Sequence, residues 1–241
     1  MPAEGFGETM RTHLAEVEHA NEHTLDDVAQ RMLDVICSDG LIYVGGTGHS
    51  VALMLESFYR AGGLACVQPL YHPALLPLHG GEDSTLAEKT SGFARILVDR
   101  YAPTSRDLAF VFSNSGVNAV PVELADELKR GGTPVVAVVS MTHLTAAPLH
   151  GDHKIDAVAD IVIDTRVPYG DAAYPTADGV MTAGLSSLTC VYVWNLLLTR
   201  LADLAATAGV RLPLFTSSNM VGGAERNVEL FKHYRPRVHS L

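Results

Sequence analysis

Residues 107–139 read DLAFVFSNSGVNAVPVELADELKRGGTPVVAVV. An apolar run, Leu108–Phe112, stops at the small polar residues Ser113-Asn114-Ser115-Gly116. Val117, Val120, Leu124 and Leu128 follow at helical spacing and stop at Gly131-Gly132, and a second apolar run, Val135–Val139, begins after Pro134. Strand, polar turn, helix, glycine stop and strand make one βαβ unit. The turn leaves the carboxyl end of the first strand, which is the ligand side of a parallel sheet.

The residues of that turn suit an anion. The first amides of a helix lack intrahelical partners and sit at the positive end of its dipole. Ser113 and Ser115 add hydroxyls, Gly116 lets the backbone come close, and the turn holds no Lys or Arg. A neutral cradle of this kind fits a phosphomonoester or a carboxylate. The same residues are also preferred helix caps and serve that purpose without any ligand.

A second unit of the same design lies upstream. The strand Leu41–Val44 runs into Gly45-Gly46-Thr47-Gly48-His49-Ser50, and a helix is expected over Val51–Ala61, ending at Gly62-Gly63. It is not the dinucleotide fingerprint, because Val51 stands where the third glycine belongs, and it is not a GxxxxGK[ST] loop, because it has no Lys. Gly46, Thr47, Gly48 and Ser50 remain as a second hydroxyl-bearing turn, and two such turns in one sheet can clasp one ligand. His49 sits in the turn, where an exposed imidazole is well placed to move protons. Glu56, on the helix behind it, is either an acid/base above the cradle or an i,i+4 partner of Arg60.

The remaining chain frames these units. Residues from about Gly7 to Cys37 are expected as one long amphipathic helix with Leu14, Val17, Leu25, Val28, Met32, Leu33 and Ile36 on one stripe. Leu64–Val67 reads as a short strand, and Gln68–Asp83 as a long structured loop. Asp83 or Ser84 then caps a helix that carries Glu88 near its start and Phe93, Ile96 and Leu97 further on. Met141–His153 reads as a loop, Ala159–Ile163 as a strand, Thr165–Asp178 as a second long loop and Val180–Ala208 as a long helix bearing Trp194. The tail contains Ser217-Ser218-Asn219, and Ser218 and Asn219 suit ligand contacts.

The expected fold is α/β: five strands in a mostly parallel, doubly wound sheet, with a long helix at each end. One domain is expected, made of an N-terminal helix (1–38), a core (39–208) and a tail (209–241) that contacts the site or a partner subunit. Hydrophobic residues make up 47% of the 241, enough for a sizeable core. The 17 Lys and Arg against 27 Asp and Glu leave a charge of −10, which argues against a nucleic-acid surface. Three dispersed cysteines without CxxC spacing, and a start without an apolar signal segment, point to a reducing, cytoplasmic setting. Met181–Leu204 is broken by Ser, Thr, Asn and Arg and reads as a buried helix rather than a membrane span. His19 with His23, and His150 with His153, lack further grouped ligands, so no metal and no cofactor are expected.

The two turns, GTGHS (Gly46–Ser50) and SNSG (Ser113–Gly116), each ending an apolar strand, resemble those of the SIS (sugar isomerase) domain, a three-layer αβα fold. GTGHS, Glu56 with FYRAGGL, LHGGEDSTLAEKTSGFA and SSNMVGGAERN resemble in particular the stand-alone UPF0309 group. The resemblance implies a phosphosugar site, with phosphate held by Ser113, Ser115 and Gly116 and with Asn114 and Asn118 beside it. It implies a homo-oligomer, dimer or tetramer, with sites near the subunit interface. Stand-alone members of the family catalyse aldose–ketose isomerisation or etherase lyase chemistry, and Glu56 and Glu88 stand broadly where the etherase carries its two glutamates. Isomerisation itself needs a base beside the carbonyl, and Glu56 or Glu88 is the expected base, with His49 assisting. Two alternatives stand beside that reading: an etherase-like lyase on an amino-sugar 6-phosphate, and a non-catalytic phosphosugar sensor. The glutamate of the etherase resembles Glu56 but lies farther from its turn. The phosphoheptose isomerases carry a glutamate where Arg60 stands here, and a His in a late helix where Met181–Leu204 has none.

Overall fold

The computed structural model describes residues 5–241. Helices α1 (Phe6–Ala20) and α2 (Glu22–Cys37) precede β1 (Ile42–Gly46), α3 (Val51–Ser57), β2 (Val67–Leu70), α4 (Gly81–Glu88) and α5 (Phe93–Tyr101). The chain continues as β3 (Leu108–Phe112), α6 (Ala119–Arg130), β4 (Val135–Val139), α7 (Met141–Ala146), β5 (Ile161–Asp164), β6 (Ala172–Pro175), β7 (Met181–Gly184), α8 (Ser186–Ala208) and α9 (Gly223–Tyr234).

The main sheet has five strands in the order β2-β1-β3-β4-β5, with every pairing parallel. Every residue of β1, β3 and β4 is buried, which is why they read as unbroken apolar runs rather than alternations. The two faces are distinguished by register. Phe110 and Phe112 point to α8, where the Trp194 ring meets them edge-on at 5.3 and 6.5 Å between centroids. Gly45, in register with Val111, points the other way, and a Cβ there would lie 2.5 Å from Leu124 Cδ2 of α6. Helices therefore cover both faces. The strand order reverses direction between β1 and β3, so the two polar turns leave the sheet on either side of the topological switch point.

Several boundaries differ from the sequence expectation, each for a local reason. The N-terminal helix is split at Asn21. The Asn21 Nδ2 donates to Val17 O at 2.7 Å and to Asp164 O at 2.8 Å, and its Oδ1 accepts from Asp164 N at 2.9 Å, so the side chain pairs with the end of β5. The second strand lies at 67–70 rather than 64–67, because Leu64 forms an antiparallel bridge with Leu214 of the tail. As an edge strand, β2 tolerates Pro69. Helix α3 stops at Ser57, whose hydroxyl bonds back to Leu53 O at 2.7 Å.

The helix expected from Ser84 is two helices. Glu123 accepts from Ser91 Oγ and Gly92 N at the break, and Gly92 has a φ of +81°. The loop after β4 contains α7, whose start is capped by Ser140 Oγ accepting from His143 N at 3.0 Å. The 165–178 loop becomes an antiparallel hairpin, β6–β7, and α8 begins at Ser186 rather than Val180. Asp171 fixes that start by accepting from Leu185 N, Ser186 N and Ser186 Oγ.

Helix α8 is long and apolar enough in composition to cross a bilayer. Here Val193, Trp194, Leu197 and Leu201 are buried, and its Arg200 donates to Asp26 of α2 at 2.7 Å.

Candidate functional site

The chain leaves β1 and β3 next to each other, so residues 47–50, 113–115 and 118 face one mouth above the sheet. A cavity of about 390 Å³ opens there. The first turn contributes Thr47, Gly48, His49 and Ser50, and the second contributes Ser113, Asn114, Ser115 and Asn118. Helix α4 adds Ser84, Thr85 and Glu88 to the lining, and His143, Asp171 and Ser186 complete it. Among the described residues no lysine or arginine lines the cavity.

Glu88 joins the two turns. Its Oε2 accepts from Thr47 Oγ1 at 2.8 Å, and its Oε1 accepts from Asn118 Nδ2 at 2.9 Å. Each carboxylate oxygen keeps a lone pair free beyond these bonds. The carboxylate is half-buried and aimed where a ligand held by both turns would lie. The long loop and the early start of α4 bring it there, 41 residues after Thr47.

The turn after β3 is built in two parts. Ser113 is buried, and its Oγ accepts from Gly116 N at 3.1 Å, so that hydroxyl and that amide close the turn on itself. The Ser115 hydroxyl is uncommitted among the described residues and faces the cavity. Gly116 has a φ of +65°, and a Cβ there would stand 2.7 Å from Leu144 Cδ1 and 2.8 Å from Ile155 Cγ2. It is the floor of the turn rather than part of the lining. Asn118 holds the N-cap position of α6 but gives its side chain to Glu88 instead of the helix. Gly46 lies buried at the end of β1, where a Cβ would be 3.0 Å from Phe112 O, so it lets the two strands' turns approach.

Three of the sequence candidates stand elsewhere. Glu56 forms an ion pair with Arg60 on α3 and accepts from Asn195 Nδ2 of α8 at 3.3 Å, outside the mouth. Helix α3 is short, and Glu56 falls on its α8 side. Ser218 lines a separate cavity of about 320 Å³ with Tyr59, Arg60, Phe215 and Phe231, and Asn219 is exposed beside it. His49 is in the mouth, on an exposed turn.

Sequence reasoning missed His143, Asp171 and Ser186. His143 lay in a stretch read as a loop, but its place just after β4 puts it at the same carboxyl-end rim as the two turns. Its Nδ1 lies 3.3 Å from Asn114 Nδ2, and its ring packs 4.8 Å from that of Tyr169. Cys190, on the first turns of α8, is not a nucleophile: burial, with a smaller push from Asp171, raises its thiol to about 12. Among the described residues no three His, Cys, Asp or Glu side chains gather as metal ligands.

Comparison with known proteins agrees with this architecture. The SIS-domain family model matches residues 5–140. A UPF0309 protein of Halalkalibacterium halodurans is 32% identical over 226 residues, which cover 92% of this chain and 93% of that protein. Among solved structures, the phosphoheptose isomerase of Neisseria gonorrhoeae superposes with a TM-score of 0.54 at 17% identity, over 81% of this chain and 94% of that one. A phosphoheptose isomerase from Francisella tularensis superposes with a TM-score of 0.53 at 15% identity, over 82% of this chain and 95% of that one. At such identities the two structures speak to the fold alone.

Proposed function

This chain belongs to the SIS-domain family and to its UPF0309 group, and on that footing we propose that the mouth between β1 and β3 binds a sugar phosphate and interconverts its aldose and ketose forms. The observation that carries the reading is the Glu88 carboxylate held by Thr47 from one turn and Asn118 from the other. Aldose–ketose isomerisation moves a proton between adjacent carbons, so it needs one base within reach of both and a remote anchor for the substrate. Glu88 is that base. The phosphate lies against the turn after β3, on the Ser115 hydroxyl and the unpaired amides about it, which suits a cradle without cationic side chains. Thr47, Ser50 and the backbone at Gly48 face the sugar hydroxyls, and Gly46, buried beneath them, lets the two turns approach. His49, exposed at the rim, assists opening of the sugar ring.

The neighbours in fold are described as phosphoheptose isomerases, which is in keeping with the same class of ligand. An etherase-like elimination is less well supported, because Glu56, the second carboxylate it would engage, is occupied by Arg60 away from the mouth. The protein is expected to act as a homo-oligomer in the cytoplasm, without metal or other cofactor.

The test is turnover. Purified protein is assayed with aldose and ketose phosphates of varied carbon number, with and without a 2-acetamido group. The wild type is expected to interconvert one such pair, and Glu88→Gln to lower kcat by about 100-fold or more while still binding it. A Glu88→Gln protein that turns the substrate over at the wild-type rate ends the assignment.

A further inference from the structure

Glu88 alone moves protons on carbon, and the reaction must also move one between the two oxygens. His143, on α7, lines the same mouth as Glu88. Three contacts fix it. Its backbone N–H donates to Ser140 Oγ at 3.0 Å, and Ser140 N donates to Asn114 O at 3.1 Å, which ties α7 to the turn after β3. The Tyr169 ring backs the imidazole. The Asn114 amide meets Nδ1 at 3.3 Å. The Asn114 side chain makes this one polar contact among the described residues, and its Oδ1 is buried without a partner. Read with the amide nitrogen donating, the contact makes Nδ1 the acceptor, which would place the proton of the neutral ring on Nε2, the ring nitrogen that Asn114 does not engage. His49, by contrast, has no ring partner among the described residues.

We propose that His143 is a second catalytic residue of this mouth, presenting Nε2–H to the two oxygens of the substrate while Glu88 serves the two carbons. The proposal rests on the isomerase reading above. Glu88 takes the C2 proton, the C–H electron pair becomes the C1=C2 bond, and the carbonyl π pair moves to O1, which takes the Nε2 proton of His143. The ring then takes the proton of O2 as O2 becomes the carbonyl, and Glu88 returns its proton to C1. C1 is reduced, C2 is oxidised, and both side chains end as they began, so no external oxidant or reductant takes part. A ring locked by Asn114 and Tyr169 needs no reorganisation during these steps.

Two measurements test it. Nitrogen-15 NMR of the histidine rings in the free protein is expected to show His143 as the Nε2–H tautomer, and Asn114→Asp, which offers an acceptor to Nδ1, to reverse it. Kinetics use the aldose phosphate that the wild type converts fastest. His143→Gln is expected to lower kcat about 100-fold or more with KM within about threefold, and Asn114→Asp to lower kcat by a similar factor. An Nδ1–H tautomer in the wild type, or a His143→Gln protein with raised KM and unchanged kcat, overturns the proposal and leaves the ring a binding group. A wild type that converts no sugar phosphate removes the isomerase reading and the proposal with it. A wild type and His143→Gln of equal activity remove the proposal alone.

Discussion

Thr47 Oγ1 donates to Glu88 Oε2 across 2.8 Å, joining the turn after β1 to the last residue of α4. Asn118 does the same from the turn after β3. One carboxylate thereby sets the spacing of two turns that leave neighbouring strands. Thr47→Val keeps the shape and removes the donor. It is expected to lower kcat roughly tenfold to a hundredfold, the range for one bond to a charged acceptor. Asn118→Leu is expected to act likewise. The double variant should lose less than the product of the two, because both bonds orient the same group. Steady-state kinetics on the substrate read all three, and wild-type kcat in the double variant would mean the tie has no catalytic role.

Gly116 is required twice over, by its φ of +65° and by Leu144 and Ile155 under its Cα. Gly62 also has a positive φ, +79°, but open space around it. Gly62→Ala is expected to cost about 1 kcal/mol for the backbone alone, and Gly116→Ala about 2–4 kcal/mol once overpacking is added. Urea denaturation midpoints compare them, and equal losses would contradict this packing of the turn.

Asn21→Ala removes three hydrogen bonds at the junction of α1, α2 and β5, two of them with Asp164. The site is buried, so the partners are left unpaired, and the expected loss is about 2–4 kcal/mol in the same assay. A loss under about half of one kcal/mol would mean that water replaces the amide without cost.

The two βαβ turns were legible because glycines and hydroxyls at the end of an apolar run are a local signal. The strands β3 and β4 were legible as fully buried runs. What was not legible depended on contacts distant in sequence. The break at Asn21 is made by Asp164, and the shift of β2 is made by Leu214. The turn at Gly92 is made by Glu123. Glu88 was a candidate only by its likeness in place to a glutamate of the etherase, and the tertiary path of the 68–83 loop is what sets it between Thr47 and Asn118. Glu56 looked equally suited in sequence, and the short α3 turns it toward α8 instead. His143 escaped notice because α7 is too short to leave a periodic pattern.

His13 gives the fold a pH dependence. Its Nε2 lies 2.9 Å from Thr189 Oγ1, whose own proton goes to Leu185 O, so the ring donates. Burial holds the imidazole below its ordinary 6.5; Glu16 raises it, Arg166 lowers it and Asp164 raises it, each by less. A base depressed in the folded state is protonated first in the unfolded chain. Its contribution is therefore full above about pH 6.5 and is lost as the pH falls through the folded-state value. Urea midpoints taken from about pH 8 down to about pH 5 should fall on the acid side, and His13→Gln should flatten part of that fall. An unchanged slope in His13→Gln would assign the effect to other groups.

The central claim is that the mouth between β1 and β3 holds a sugar phosphate by its phosphate. The direct measurement is the thermal shift of the wild type and of Ser115→Ala with sugar phosphates, each paired with its unphosphorylated sugar. A ligand at a hundredfold excess over its Kd stabilises the folded state by about 2.7 kcal/mol, which a melting curve resolves. The account predicts a rise with a phosphorylated sugar, none with its unphosphorylated partner, and a much smaller rise in Ser115→Ala. No rise with any phosphorylated sugar, or an equal rise in Ser115→Ala, would contradict it.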